Sequence, residues 1–171
     1  MYKGRFCTRV ITLIFLFSSA SYIISAQTTT LRINEFMALN QSTLTDEDGE
    51  YSDWIEIYNP TAGAINLFGW SLTDNRLLPQ KWTFPSITLN PGGYLILFAS
   101  GKDRSIAGSE LHTNFKISGD GEYLALFNPG LTAVTEFSPA FPPQQADVSY
   151  GYYENTFVSF ADPTPGADNM Q

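Results

Sequence analysis

Short apolar runs separated by turn residues follow one another along the chain from about residue 31 onward. Turn signals such as Asn59-Pro60 and Gly119-Asp120-Gly121 lie between the runs, and no stretch shows a helical period of convincing length. Many short strands at near-regular spacing, rich in aromatic residues, predict an all-β sandwich. We expect strands at residues 31–38, 53–59, 65–73, 81–84, 94–100, 111–115, 123–128, 133–137 and 148–153.

Two of these runs, residues 94–99 and 123–127, are apolar at every position, which is typical of strands covered on both faces. The Pro-rich tract 137–145 is expected to be an irregular surface crossover. A Pro-Thr-Ala-Gly turn between residues 54–58 and 65–73 predicts a hairpin. The expected core residues are Ile55, Ile57, Leu67, Trp70, Leu95, Leu97, Leu124 and Leu126.

The first 26 residues have the layout of a secretory signal peptide. Lys3, Arg5 and Arg9 precede an apolar run, and small Ala26 precedes a polar stretch. The uninterrupted apolar run is short for a membrane span, which needs about 20 residues. We therefore expect cleavage after Ala26, no transmembrane segment afterwards, and a secreted or periplasmic, cell-envelope location.

The charge balance excludes one class of partner. Three of the nine basic residues lie in the leader, which leaves six against seventeen acidic residues, a net charge of −11 for residues 27–171. Binding to nucleic acid depends on neutralising phosphates with Lys and Arg, so we expect no nucleic-acid partner. The only cysteine, Cys7, also lies in the leader, which excludes disulfides and thiol chemistry in the remainder.

An acidic loop at residues 46–53 is the best candidate for a metal site. Carboxylates alternating around Gly49 are able to wrap a hard cation such as Ca²⁺, although the spacing is not that of an EF-hand. Calcium is therefore the one candidate cofactor, with no cofactor required by the sequence. The alternative is a solvated acidic loop, the usual meaning of a charge run. The proposed metal ligands are Asp46, Asp48, Glu50 and Asp53.

Two acidic residues, Glu35 and Glu56, lie inside apolar strand runs, where a carboxylate needs a partner or a function. Strand alternation places Glu56 on the same face as Trp54 and Tyr58, and these three residues are the candidate ligand-binding set. The alternative is that Glu56 points to solvent or bonds a loop backbone, and that the tryptophans belong to the core.

Catalytic residues are not indicated by the sequence. His112 is the only histidine, and we expect it to be a partly exposed residue at a strand end. A serine hydrolase needs a nucleophile on a strained turn, and no Gly-x-Ser-x-Gly elbow occurs around Ser109 or Ser118.

The apolar stretch 54–74, with its Gly69-Trp70 step, resembles the lamin tail domain family, and further segments resemble the family's bacterial, exported form in the same order. These segments are residues 31–37, 81–85, 89–99, 111–116, 121–126 and 163–169. The resemblance implies an immunoglobulin-like antiparallel β-sandwich over residues 31–169. It also implies an exported, non-enzymatic binding or tethering module whose partner is a protein or polysaccharide of the cell surface. Two alternatives are a carbohydrate-binding sandwich that uses exposed aromatics and a less favoured metal-dependent hydrolase.

Overall fold

The computed structural model describes Met1 and residues 30–170, so the predicted signal peptide lies outside the described residues apart from Met1. Within residues 30–170 no helix reaches the length and apolarity that a bilayer crossing requires. The strands of this part of the chain are β1 (Arg32–Met37), β2 (Trp54–Tyr58), β3 (Ile65–Asn66), β4 (Ser71–Thr73), β5 (Trp82–Thr83), β6 (Thr88–Leu89), β7 (Tyr94–Phe98), β8 (Leu111–His112), β9 (Leu124–Phe127), β10 (Ala133–Phe137), β11 (Ser149–Tyr153) and β12 (Thr156–Phe160).

Two main sheets make up the fold. The larger has six strands in the order β12-β11-β1-β2-β7-β8, and the smaller has four in the order β10-β9-β4-β5. Strands β3 and β6 form a separate two-stranded sheet. All pairings are antiparallel except that of β7 with β8. The predicted all-β, immunoglobulin-like antiparallel sandwich is confirmed.

The core lies between the two main sheets because each contributes its apolar face. Ile33, Ile55 and Leu97 of the six-stranded sheet share one apolar cluster with Leu72 and Leu124 of the four-stranded sheet. Burying apolar area of this kind is the main source of folding stability. Seven of the eight expected core residues are buried, and Leu95 is the exception, because it is only partly buried at the margin of this cluster.

The predicted hairpin between residues 54–58 and 65–73 is wrong. Strand β2 pairs with β1 and β7, whereas β4 belongs to the other main sheet, so the connection crosses between sheets. Asn59 stabilises this crossing because its Nδ2 donates to the carbonyls of Gly63 at 2.8 Å and Leu89 at 2.9 Å. The expected strand 65–73 is also divided by a turn at Gly69, which has a φ of 81°.

Candidate functional site

A row of half-buried aromatic rings and one guanidinium lies across strands β7, β2, β1 and β11. The rings of Tyr94 and Tyr58 stack with centroids 4.6 Å apart. The Arg32 guanidinium lies 4.7 Å from the ring centroid of Tyr58 and 4.2 Å from that of Tyr152. The register explains this order, because Tyr58 is directly opposite both Arg32 and Tyr94. We call Tyr94, Tyr58, Arg32 and Tyr152 the tyrosine–arginine row.

Arg32 has no carboxylate partner at ion-pair distance within residues 30–170. Its Nε and Nη2 atoms donate to Asn34 Oδ1 at 3.1 and 3.0 Å. Burial lowers the pKa of Arg32, and the nearby tyrosines and Asp168 partly offset this effect. A cavity of about 230 Å³ adjoins the row and is lined by Arg32, Tyr152, Phe157 and residues 134–136. The row is thus a stack of half-buried rings and one guanidinium beside a cleft, with Arg32 held over two ring faces.

The ligand-binding candidates do not form one exposed surface. Tyr58 belongs to the row, but Trp54 is fully buried in a small cluster with Met37 and Phe98. Leu44 packs against that cluster from the segment that precedes the acidic loop. Trp54 and Tyr58 therefore do not form one solvent-facing row, and Tyr58 is the one aromatic of the candidate set that reaches the surface.

Glu56 is fully buried, which corrects the alternative that it points to solvent. Its Oε1 accepts from Asn34 Nδ2 at 2.8 Å, and its Oε2 accepts from the backbone N–H of Gly166 at 2.5 Å. Burial raises the pKa of Glu56 to about 7, although these two hydrogen bonds lower it and the neighbouring Glu35 charge adds to the rise. The other option of that alternative was a hydrogen bond to a loop backbone, and Glu56 makes such a bond with Gly166.

Glu35 lies directly opposite Glu56 in the register of β1 and β2, but the two carboxylates have separate donors. Thr164 donates its backbone N–H to Glu35 Oε1 at 3.2 Å and its hydroxyl to Oε2 at 3.1 Å, and Ser149 also donates its hydroxyl to Oε1. The segment 163–169 therefore lies over the outer side of the six-stranded sheet. Its Asp168 accepts from the Tyr94 hydroxyl, which joins this segment to the tyrosine–arginine row.

The acidic loop gathers three of its four predicted metal ligands around a lysine. Carboxylate oxygens of Asp46, Asp48 and Glu50 lie within 4.8 Å of one another. The Lys102 ammonium is 2.6 Å from Asp46, 2.6 Å from Asp48 and 2.9 Å from Glu50. Asp53 is apart from them, because its Oδ1 accepts from the backbone N–H of Asn40 at 3.0 Å. Lys102 thus supplies the positive charge that a bound cation would supply.

Asp46 organises the loop from a buried position. Its Oδ1 accepts from the backbone N–H groups of Asp48 at 3.1 Å and Glu50 at 3.0 Å, while Oδ2 accepts from Ser52 at 2.9 Å. Burial raises the pKa of Asp46, but the hydrogen bonds from Lys102, the loop backbone and Ser52 outweigh burial and lower it to about 2. The loop is a folded element held by its own donors.

His112 is fully buried, which corrects the expectation of a partly exposed side chain, although it does lie at the end of β8. Its Nδ1 is 2.8 Å from Ser100 Oγ, and its Nε2 is 2.9 Å from Glu47 Oε2. Its ring also stacks on Phe98 at a centroid distance of 5.3 Å. No motif in the sequence points to Ser100, because the chain order Glu47, Ser100, His112 matches no hydrolase pattern.

The Ser100–His112–Glu47 chain resembles a hydrolytic triad in composition but differs in its setting. Ser100 lies in extended backbone bridged to Lys116, without the strained turn of a nucleophile elbow. Its hydroxyl oxygen also accepts from the backbone N–H of Lys102 at 3.2 Å. Glu47 has two further partners, because its carboxylate accepts from Arg104 at 2.5 Å and its backbone N–H donates to Glu110 Oε2 at 2.7 Å. These contacts connect the acidic loop to β8.

The fold defines an immunoglobulin-like β-sandwich. Residues 24–140 match the family model described as Lamin Tail Domain, and the chain belongs to this family. No curated protein and no solved structure matches the chain at a significant level. The resemblance that the sequence segments indicated is therefore confirmed, and lamin tail domains are generally non-catalytic.

Proposed function

We propose that this chain is an exported, non-enzymatic binding module of the cell envelope or extracellular space. The tyrosine–arginine row is the observation on which this proposal rests. It presents three aromatic rings and an arginine that has no carboxylate partner within residues 30–170, and it adjoins a cavity. Rigid aromatic side chains and arginine are the residue types that dominate binding surfaces.

A polysaccharide of the cell surface is the ligand class that the row favours. Tyrosine rings stack on the apolar faces of sugars, and the neighbouring side chains of Arg32, Glu136 and Asp168 offer hydrogen-bonding groups for hydroxyls. The net charge of −11 for residues 27–171 disfavours anionic polymers. A protein partner at the cell surface is the other outcome that the experiment below separates.

The binding experiment compares variants of the row with a matched tyrosine outside it. The chain is incubated with insoluble cellulose, chitin and purified peptidoglycan, and the bound fraction is measured. Tyr58→Ala is expected to weaken binding by about tenfold, because a stacked ring contributes on the order of 1–2 kcal/mol. Tyr51→Ala is the control, since Tyr51 is 49% exposed and lies in the acidic loop.

Binding that Tyr58→Ala and Tyr51→Ala leave equally strong would contradict the row as the contact surface. Binding to intact cells that protease treatment abolishes, with no binding to the three polysaccharides, would assign the row to a protein partner. Export is tested separately by fusing residues 1–26 to a reporter enzyme that is active only outside the cytoplasm. An inactive reporter would contradict the location.

The calcium site expected at Asp46, Asp48, Glu50 and Asp53 stays a prediction. A calcium ion at Asp46, Asp48 and Glu50 would have to displace the Lys102 ammonium, which contacts all three carboxylates.

A further inference from the structure

Strand β12 is an outer edge of the six-stranded sheet and pairs only with β11 among the strands of residues 30–170. The two strands form a hairpin whose two-residue turn is Glu154-Asn155, with positive φ values of 44° and 67°. Their register runs without a shift from the pair Tyr153 and Thr156 to the pair Ser149 and Phe160. The strand is therefore regular along its whole length.

The hairpin fixes which backbone groups of β12 face outward. In a two-residue hairpin the pair next to the turn is hydrogen-bonded, and every second pair after it is hydrogen-bonded as well. The backbone groups of Thr156, Val158 and Phe160 consequently face β11. Those of Phe157 and Ser159 face away from it, and no loop or side chain of residues 30–170 supplies them with a hydrogen-bond partner.

The edge has none of the devices that usually prevent pairing with another strand. It contains no charged residue, no proline and no bulge. The opposite edge strand, β8, differs because Arg104 bridges its open side at His112. An unprotected edge of this length is a template for an added strand.

Two cavities of about 270 Å³ each lie at the Ser159 end of this edge, and both include Ser159 and Ala161 in their lining. When a peptide adds to a sheet edge, main-chain hydrogen bonds provide affinity and pockets for alternate side chains provide specificity. Edge and cavities together fit this mode of recognition.

Charge indicates whether the added strand comes from a second copy of this chain or from a different protein. If a second copy paired with β12 antiparallel, with Phe157 opposite Ser159 of the copy, Glu154 of each chain would lie opposite Asp162 of the other. Like charges opposite each other destabilise a strand pair, and each copy has a net charge of −11 over residues 27–171. We propose that β12 docks an extended segment of a different protein by strand addition, uncharged at its centre and flanked by Lys or Arg.

The test uses a defined peptide as the probe, Lys-Lys-Thr-Val-Thr-Val-Thr-Lys-Lys with a fluorescent label, in anisotropy titrations with the chain. Ser159→Pro removes an outward N–H and blocks the edge, but it leaves the ladder with β11 intact because that N–H does not donate to β11. We expect Ser159→Pro to weaken binding by about tenfold or more. The control Ser159→Thr keeps the N–H, and its affinity is expected to stay within about twofold of the parent chain.

A second experiment changes the probe instead of the protein, so that its result does not depend on whether the proline variant folds. Methylating the central amides of the probe removes its donors without altering the protein, and binding should again fall by about tenfold. Replacing the flanking lysines with glutamates should weaken binding in the same way. No binding of the basic probe, or equal binding by Ser159→Pro and by the methylated probe, would overturn the proposal. So would a concentration-dependent dimer that Ser159→Pro abolishes, because the edge would then accept a second copy.

Discussion

The backbone N–H of Gly166 donates to the Oε2 atom of Glu56 at 2.5 Å, from a segment 110 residues away along the chain. This bond joins the C-terminal segment to β2 of the six-stranded sheet, two residues before Tyr58 of the tyrosine–arginine row. Glu56 is therefore a structural carboxylate whose donors hold the surface above it in place.

The free energy of unfolding should fall as pH rises from about 4.5 to about 7 because of Glu56. Its pKa is about 7 in the folded chain against a usual value of 4.5, so between these values the folded state binds a proton that the unfolded state has released. The loss is at most about 3 kcal/mol above pH 7. Urea unfolding at a series of pH values from 4 to 8 measures it. Glu56→Gln should remove most of this dependence, and an equal slope in that variant would contradict the assignment.

Calcium at Asp46, Asp48 and Glu50 would raise the melting temperature of the parent chain only by displacing the Lys102 ammonium, whereas Lys102→Ala leaves these carboxylates without that cation. Lys102→Ala should melt several degrees lower and should recover in millimolar Ca²⁺. At ten times a Kd of about 10⁻⁴–10⁻³ M, bound calcium would add about 1.4 kcal/mol. Thermal melts with Ca²⁺ and with a chelator test both chains. A rise in the parent chain would show that calcium displaces the lysine.

Leu97→Ala should lower the free energy of unfolding by about 2–5 kcal/mol, since Leu97 is fully buried between β2 and β8. Leu77 is the control, because its side chain is 86% exposed and Leu77→Ala should change stability by less than about 0.5 kcal/mol. Denaturant melts measure both variants. Equal effects would contradict the position of the core.

Duplex DNA should not bind to this chain at physiological salt. Of the basic residues in the described part, Lys81, Lys102 and Arg104 are paired with carboxylates, which leaves no basic patch for phosphates. A gel shift at several salt concentrations measures this. Retardation at micromolar protein that disappears with added salt would contradict the prediction.

Ser100 and His112 should contribute to stability and not to hydrolysis. Ser100→Ala removes the hydrogen bond to His112 Nδ1, which should cost about 1 kcal/mol. Hydrolysis of an activated ester such as p-nitrophenyl acetate should proceed at the same rate with either chain. A rate that falls to the background level in Ser100→Ala would assign a catalytic role to this serine.

The sequence predicts most strands because the fold follows apolar patterning, and the expected runs contain or match β1, β2, β5, β7, β8, β9, β10 and β11 within a few residues. Strand β12 was not predicted, because its turn, Glu154-Asn155, adopts positive φ without a glycine to indicate it. The acidic loop could be located, but Lys102 could not be assigned to it, because the two are 56 residues apart and meet only through tertiary contacts. Local patterns cannot indicate contacts of that range.

The position of β11 between β12 and β1 in the larger sheet affects how this domain should be delimited. The family match ends at residue 140, whereas β11 begins at Ser149 and separates β12 from β1. A chain cut at the end of the match would turn β1 into an exposed edge and would remove the donors that Ser149, Thr164 and Gly166 give to two buried carboxylates. The unit recognised by similarity is thus smaller than the unit that folds.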